Sequence, residues 1–333
     1  MKSFAVALAV VAATALAVFA GTVGATPKHH AAALKVGLVT DIGGLNDHGF
    51  NHLAYLGLQK AQSKLGVQVD VHQSSSNADY VPNLSSFAQQ GYDLVIAVGF
   101  LMYDSVKTVA AKFPNTKFMI IDNGWSPGDP PNLEGTLFHE QEAGYLVGYL
   151  SGLLYNGKKV TMSTVGGQKI PPVDRYIAGF RAGAKAADKK VKLLNGYSQD
   201  FVAQDKCKNV ALQQIGAGSK VVFQVAGGCG LGALDAAKQK HVWGIGVDAD
   251  QAYVGPQVLT SAMKRVDNDV FTTVKQLTAG NLKTGRTFEF TIANGGIDLG
   301  KISSKVPQAD VAKVEAVKKK IAAGNVTIPT TVP

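Results

Sequence analysis

From Lys35 onward, short unbroken apolar runs alternate with longer stretches of helical composition. Lys35 to Thr40, Val67 to His72, Leu94 to Val98, Lys117 to Ile121 and Leu133 to Phe138 read as strands, with helices predicted at Gly49 to Leu65, Tyr80 to Gln90 and Ser105 to Phe113. Strands apolar on both faces must be covered on both faces, so this order predicts a parallel sheet between layers of helices. After a helix from Gln141 to Tyr155 the pattern repeats. Strands at Lys159 to Thr164, Val191 to Tyr197, Lys220 to Ala226 and Val242 to Val247 alternate with helices near Tyr176 to Ala187, Gln204 to Ile215 and Gly232 to Lys240. Two such sets in tandem predict an α/β protein of two Rossmann-like lobes, 35–139 and 140–251. A helix from Asp267 to Ala279, a strand from Thr287 to Ile292 and a lysine-rich helix from Gln308 to Ala323 remain for return crossings. By analogy with two-lobe proteins, about 252–283 is expected to complete the first lobe and about 284–325 the second.

The chain has 333 residues, 46% hydrophobic and 17% charged, enough for two ordinary domains and unlike a disordered or polytopic membrane protein. Its long apolar run, Phe4 to Val23, follows Lys2 and ends in Val23-Gly24-Ala25, the form of an export signal over residues 1–25 cut after Ala25. An uncleaved anchor is the competing reading, because the run is long enough to span a bilayer. No cysteine stands at the cut, so attachment through a lipidated N-terminal Cys is not expected. The product is expected in the periplasm or outside the cell. His29 and His30 belong to the leader that follows the cut.

The formal net charge is +9, yet arginine stands only at Arg175, Arg181, Arg265 and Arg286, and the lysines are scattered apart from Lys318-Lys319-Lys320. A nucleic-acid reader concentrates both residues on one face among stacking aromatics, so no nucleic-acid partner is expected. The charge reads as a solvated lysine surface, or as weak attraction to anionic envelope surfaces. Cys207 opens a predicted helix and Cys229 follows the next strand, neighbouring parts of one layer that could carry a disulfide in an exported protein. Two free buried thiols are the alternative. Two cysteines alone cannot make a structural zinc site.

Ligands of open parallel sheets meet the carboxyl ends of the strands. In the first lobe those ends carry Asp41 to Asn51, including Asn46 and Phe50, then Gly99-Phe100 and Asp122 to Trp125. In the second they carry Gly166-Gly167, Tyr197 to Phe201, Gly227 to Gly230 and Asp248 to Asp250. Carboxylates accept from vicinal hydroxyls, glycines admit backbone N–H groups and aromatic faces stack on rings, a set suited to a polar ring compound. Any one aspartate could simply cap the turn that follows it.

Asp41-x-Gly43-Gly44-x-Asn46-Asp47-x-x-Phe50-Asn51, Gly179-Phe180-x-x-Gly183, the run Val222 to Gly228, Gly246-Val247-Asp248-x-Asp250-Gln251 and Thr260-Ser261-x-x-Lys264 together resemble the basic membrane protein (BMP) family. Its members are substrate-binding proteins of ABC transporters, similar to the purine nucleoside receptor of spirochaetes. The resemblance covers nearly all of the chain after the leader. It implies a type I periplasmic-binding-protein fold whose lobes close on a purine nucleoside or related ribosyl compound. Phe50 would stack on the base, Asn51 and Asp41 would bond its edges, and Asp122, Asp248 and Lys264 would hold the ribose hydroxyls. Phe201 would form the opposite wall, and Gly227 and Gly228 would present backbone donors. No catalytic residue, cofactor or metal is implied. The expected partners are the small ligand and an ABC permease, with the protein a monomer.

Two other classes are weighed against this. Gly228-x-Gly230-x-x-Ala233 follows a strand and opens a helix, with Asp248 twenty residues beyond Gly228, which fits a dinucleotide-binding oxidoreductase. A receptor that presents its ligand to a sensor would use the same cleft as a transport protein. His48 and His52, four apart, lack the glutamate of a catalytic zinc helix.

Overall fold

The computed structural model describes Met1 and residues 33–332. The predicted leader, its cut after Ala25 and the His29-His30 pair lie outside the described residues. The first sheet is built from β1 (Lys35–Val39), β2 (Gln68–His72), β3 (Leu94–Val98), β4 (Lys117–Ile121) and β5 (Leu133–Phe138), and the second from β6 (Thr161–Gly166), β7 (Lys192–Tyr197), β8 (Ser219–Val225), β9 (Trp243–Asp248) and β10 (Val258–Lys264). β11 (Arg286–Phe290) and β12 (Ile297–Leu299) complete them. The orders are β11-β5-β4-β3-β1-β2 and β12-β10-β9-β8-β6-β7, so the two lobes share one topology. All pairings are parallel except that of β12 with β10. The five residues of β3 are buried, as an unbroken apolar run at the centre of a doubly covered sheet should be, while β2 at the edge keeps half-exposed and exposed positions.

The helices are α1 (Phe50–Leu65), α2 (Tyr80–Gln89), α3 (Tyr103–Lys112), α4 (Glu140–Leu154), α5 (Pro171–Ala187), α6 (Gln204–Gly216), α7 (Gly230–Gln239), α8 (Val266–Thr278) and α9 (Gln308–Ala322). The return crossings differ from the expectation. β10, inside 252–283, joins the second sheet beside β9, and only α8 of that segment packs on α1 in the first lobe. β11, inside 284–325, joins the first sheet beside β5, whereas β12 and α9 stay with the second lobe. Local sequence marks a strand but not which sheet edge will accept it, since that is decided by tertiary hydrogen bonding. β10 escaped the apolar pattern because Thr260 and Ser261, both fully buried, sit in its middle. Thr260 donates to the Gly300 carbonyl at 3.0 Å, and Ser261 Oγ accepts the Gln251 N–H at 2.9 Å, which offsets their burial.

In the second lobe α4 and α5 cross at backbone contact. A Cβ on Gly148 would stand 2.1 Å from the Phe180 carbonyl oxygen, and one on Gly183 would stand 2.0 Å from that of Tyr145. Neither leaves room for a methyl group, so the two helices can pack this closely only over glycine. Gly148→Ala is therefore expected to force the helices apart and cost about 1–3 kcal/mol, read as a lower urea midpoint at unchanged slope.

Candidate functional site

The carboxyl ends of both sheets face one interlobe cavity, open to solvent at its mouth. On the first-lobe wall, the loop after β1 turns back into α1. The Asp47 carboxylate accepts the N–H groups of Gly49 at 3.0 Å, Asn51 at 2.7 Å and His52 at 3.0 Å, satisfying donors that the first helical turn leaves free. Asn51 donates its amide hydrogens to Asp41 Oδ1 at 2.7 Å and Asp47 Oδ2 at 3.3 Å, and its own oxygen accepts the Asp41 N–H at 3.3 Å. Both Asn51 donors are thus engaged with carboxylates, which makes this residue the orienter of the two aspartates. Asp41 Oδ2 has no hydrogen bond among the described residues. It faces Gly99, where a Cβ would stand 3.0 Å from it and 3.3 Å from the Phe50 ring at a φ of +115°.

Asp122 follows β4 and Asp248 ends β9, the equivalent strands of the two sheets. Both hold left-handed backbone, with φ of 72° and 62°. For an aspartate this costs on the order of 1 kcal/mol, and such strain collects where side-chain direction matters. Asp122 is tied to Lys264, at the end of β10: Lys264 Nζ donates to both Asp122 oxygens at 2.9 and 2.8 Å and to Glu140 Oε1 at 3.2 Å. Glu140 in turn binds Arg175 Nε at 2.5 Å. Lys264 is 2% exposed, and its Nζ stands 4.6 Å from the Phe50 ring centroid. Burial works against the Lys264 charge, but Asp122, Glu140 and Asp248 outweigh it and hold the pKa up. Asp248 accepts only from Tyr176 Oη, at 3.2 Å, and its Oδ2 is without a partner among the described residues.

Cys207 and Cys229 form a disulfide with Cα atoms 5.6 Å apart. The Cys229 N–H also donates to the Phe201 carbonyl at 3.0 Å, so the bridge holds the Phe201 loop against the turn of Gly227 and Gly228. A Cβ on Gly228 would lie 3.7 Å from Asp47 Cα, so the two lobe rims nearly touch there. The dinucleotide pattern has another cause. A Cβ on Gly230 would stand 1.7 Å from Gln224 Oε1, and one on Gly232 would stand 1.9 Å from the Gln204 carbonyl, so these glycines serve packing within the lobe.

Asp41, Phe50, Asn51, Phe100, Asp122, Phe201, Gly227, Gly228, Asp248 and Lys264 all line the cavity. Asn46 does not: it is exposed on the outer side of the loop, and the neighbouring Asp47 points inward in its place. Sequence reading also missed Ile170, Pro172, Val173 and Tyr176. α5 starts at Pro171, five residues before the predicted Tyr176, and the Pro171-Pro172 pair was the available signal, since proline is favoured in the first helical turn.

Residues 34–331 match the family model of PnrA-like ABC transporter substrate-binding proteins. The chain belongs to that family. It is 32% identical to an ABC transporter nucleoside-binding protein of Lactococcus lactis, over 99% of this chain and all of that one. It is 34% identical to a lipoprotein of Pyrococcus abyssi, over 86% of this chain and 74% of the relative. A solved ABC transporter solute-binding protein of Aeropyrum pernix superposes with a TM-score of 0.81 at 26% identity, covering 90% of this chain and 94% of that one. The architecture is the type I periplasmic-binding-protein fold, and a PnrA-like protein of this fold is a substrate-binding component of an ABC transporter.

Two cavity carboxylates, Asp41 and Asp248, and two groups outside the cavity, Glu134 and His139, give the fold a pH signature. Burial pushes the carboxyls of Asp41 up to about 6 and of Asp248 and Glu134 up to about 7, and hydrogen bonds to Glu142 and Glu289 raise His139 to about 9. Each group holds its proton in the folded chain at pH values where the unfolded chain has released it. The acids therefore add stability that is lost as pH climbs to about 7, and His139 adds stability that is complete below about 6.5 and lost through about 9. The thermal midpoint is expected to fall steadily between about pH 5 and 9. A midpoint that rose across that window would show other groups in control.

Proposed function

We propose that the chain captures a purine nucleoside, or a related ribosyl compound, in the interlobe cavity and delivers it to an ABC permease by closure of the lobes. The observation that carries this reading is the surplus of carboxylates over cations in an aromatic-lined space. Asp41, Asp47, Asp122 and Asp248 line the cavity with a single cation, Lys264, while the Glu140–Arg175 pair lies outside the lining, and both Asp41 and Asp248 keep an unbonded oxygen among the described residues. A ligand rich in hydroxyl and N–H donors satisfies such acceptors, whereas a phosphate ester meets repulsion. Phe50 and Phe201, one from each lobe, supply faces for a flat base. The Lactococcus lactis relative, named as nucleoside-binding, agrees with this chemistry. Export by the N-terminal leader, action in the periplasm or outside the cell, and a monomeric state belong to the same reading.

Asp248 offers the cleanest test, because no cation is hydrogen-bonded to it and Lys264 keeps Asp122 and Glu140 when it is neutralised. Asp248→Asn is expected to weaken inosine or guanosine binding by about 2–3 kcal/mol through the lost charged acceptor, while thermal stability holds or rises as a buried unpaired carboxylate is removed. Phe50→Ala is expected to cost about 1–3 kcal/mol of affinity. Asp122→Ala should lower both affinity and stability, since it leaves the buried Lys264 with Glu140 as its remaining hydrogen-bonded acceptor. Titration calorimetry with inosine, guanosine, uridine, adenine, ribose and inosine 5′-monophosphate checks the set. Equal affinity for the monophosphate, or unchanged affinity in Asp248→Asn and Phe50→Ala, would move the ligand elsewhere.

A further inference from the structure

The starts of β6, β7, β8, β9 and β10 share one edge of the second sheet, at the opposite end of the strands from the cavity. At that edge a groove is lined by Lys220, Lys238, Lys240 and Lys305 together with Tyr155 and Trp243. The four lysines are exposed and the two aromatics half-buried, with Lys305 Nζ 5.7 Å from the Trp243 ring centroid. Lys158-Lys159, just before β6, and Lys189-Lys190, just before β7, carry the same charge along the edge, and all four are exposed. None of these eight lysines pairs with a carboxylate among the described residues, whereas Lys169, Lys206, Lys208 and Lys313 elsewhere do. The Gln257 amide also lines the groove, and neither its nitrogen nor its oxygen has a hydrogen-bond partner among the described residues.

We infer that this pole of the second lobe docks on the headgroup layer of an anionic lipid bilayer. The charge complementarity is direct, and the charge is carried by lysine with no arginine among the groove residues. Lysine is a point charge suited to diffuse attraction toward a headgroup layer, while planar recognition of individual phosphates favours arginine. Trp243 and Tyr155 add amphipathic rings of the kind that settle at membrane–water interfaces. A substrate-binding component of an ABC transporter works beside a membrane, and no helix among the described residues is long and apolar enough to cross one. Docking by this pole leaves the cavity, at the other ends of the strands, unobstructed. The inference stands independently of the ligand.

Sedimentation of the purified full-length protein with vesicles tests it. Binding is expected to vesicles containing about one-third phosphatidylglycerol in phosphatidylcholine, with little to phosphatidylcholine alone, and to weaken as salt is raised. The triple variant Lys220→Glu, Lys238→Glu, Lys240→Glu should lose roughly 100-fold or more in vesicle affinity while keeping its thermal midpoint. The charge-matched control Lys64→Glu, Lys112→Glu, Lys283→Glu, placed outside this pole, should lose far less. Equal binding to both vesicle types, or equal losses in the two triple variants, would overturn the inference. Displacement by inorganic phosphate beyond that of chloride at matched ionic strength would reassign the groove to a small phosphate ligand and equally overturn the membrane reading.

Discussion

One buried ammonium connects the two lobes. Lys264 belongs to the second sheet, Asp122 to the first, and Glu140 begins the helix entered from the first crossing between them. An ammonium taken out of water must be surrounded by acceptors, and here both Asp122 oxygens and one of Glu140 surround it. That requirement fixes the register of β10 beside β9, because a shift of one residue would turn Lys264 to the other face of the sheet. It also fixes where the strained Asp122 points, and with it one side of the cavity. The interaction that joins the lobes is thus part of the wall against which a ligand would lie, so binding and interlobe geometry share the same charges.

How much of this was legible in the sequence depended on whether the determining physics was local. Leu94 to Val98 is an apolar run with one reasonable fate, and it became the buried β3 as predicted. The rule that ligands meet strand ends led to Asp41, Asp122 and Asp248 without any structure, because those ends are marked by the residues that stop the apolar runs. The partners of β10 and β11 were not legible, since either sheet offered an open edge and only tertiary packing chooses. Asn46 and Asp47 show the same limit at the scale of one residue. Both sit in a turn rich in polar residues, and which of them faces inward is decided by the free N–H groups at the start of α1, which Asp47 can cap from its position.

Glycine was the most ambiguous signal. Gly228-x-Gly230 fits a phosphate-binding turn in outline, yet the structure assigns Gly230 and Gly232 to close contacts with Gln224 and the Gln204 carbonyl. The same residue type at Gly148 and Gly183 lets two helices touch, and at Gly99 it preserves the space around the free Asp41 oxygen. Absence of a side chain states only that something approaches closely. Whether that something is a ligand, a helix or a neighbouring loop is a property of the fold.

The formal charge of +9 conceals two opposed fields. The cavity is acidic in balance, while eight lysines without a carboxylate partner among the described residues lie at the far ends of the strands of the second lobe. Strands of six or seven residues, such as β9 and β8, separate the two by roughly 20 Å at about 3.3 Å per residue. That is about twice the screening length at physiological ionic strength, so neither field cancels the other. A donor-rich ligand approaching the cleft would meet four carboxylates and one ammonium, and an anionic surface approaching the far pole would meet the lysines. A net charge taken over the whole chain therefore describes neither face, since the acidic balance lies between the lobes and the lysines at the outer pole of the second.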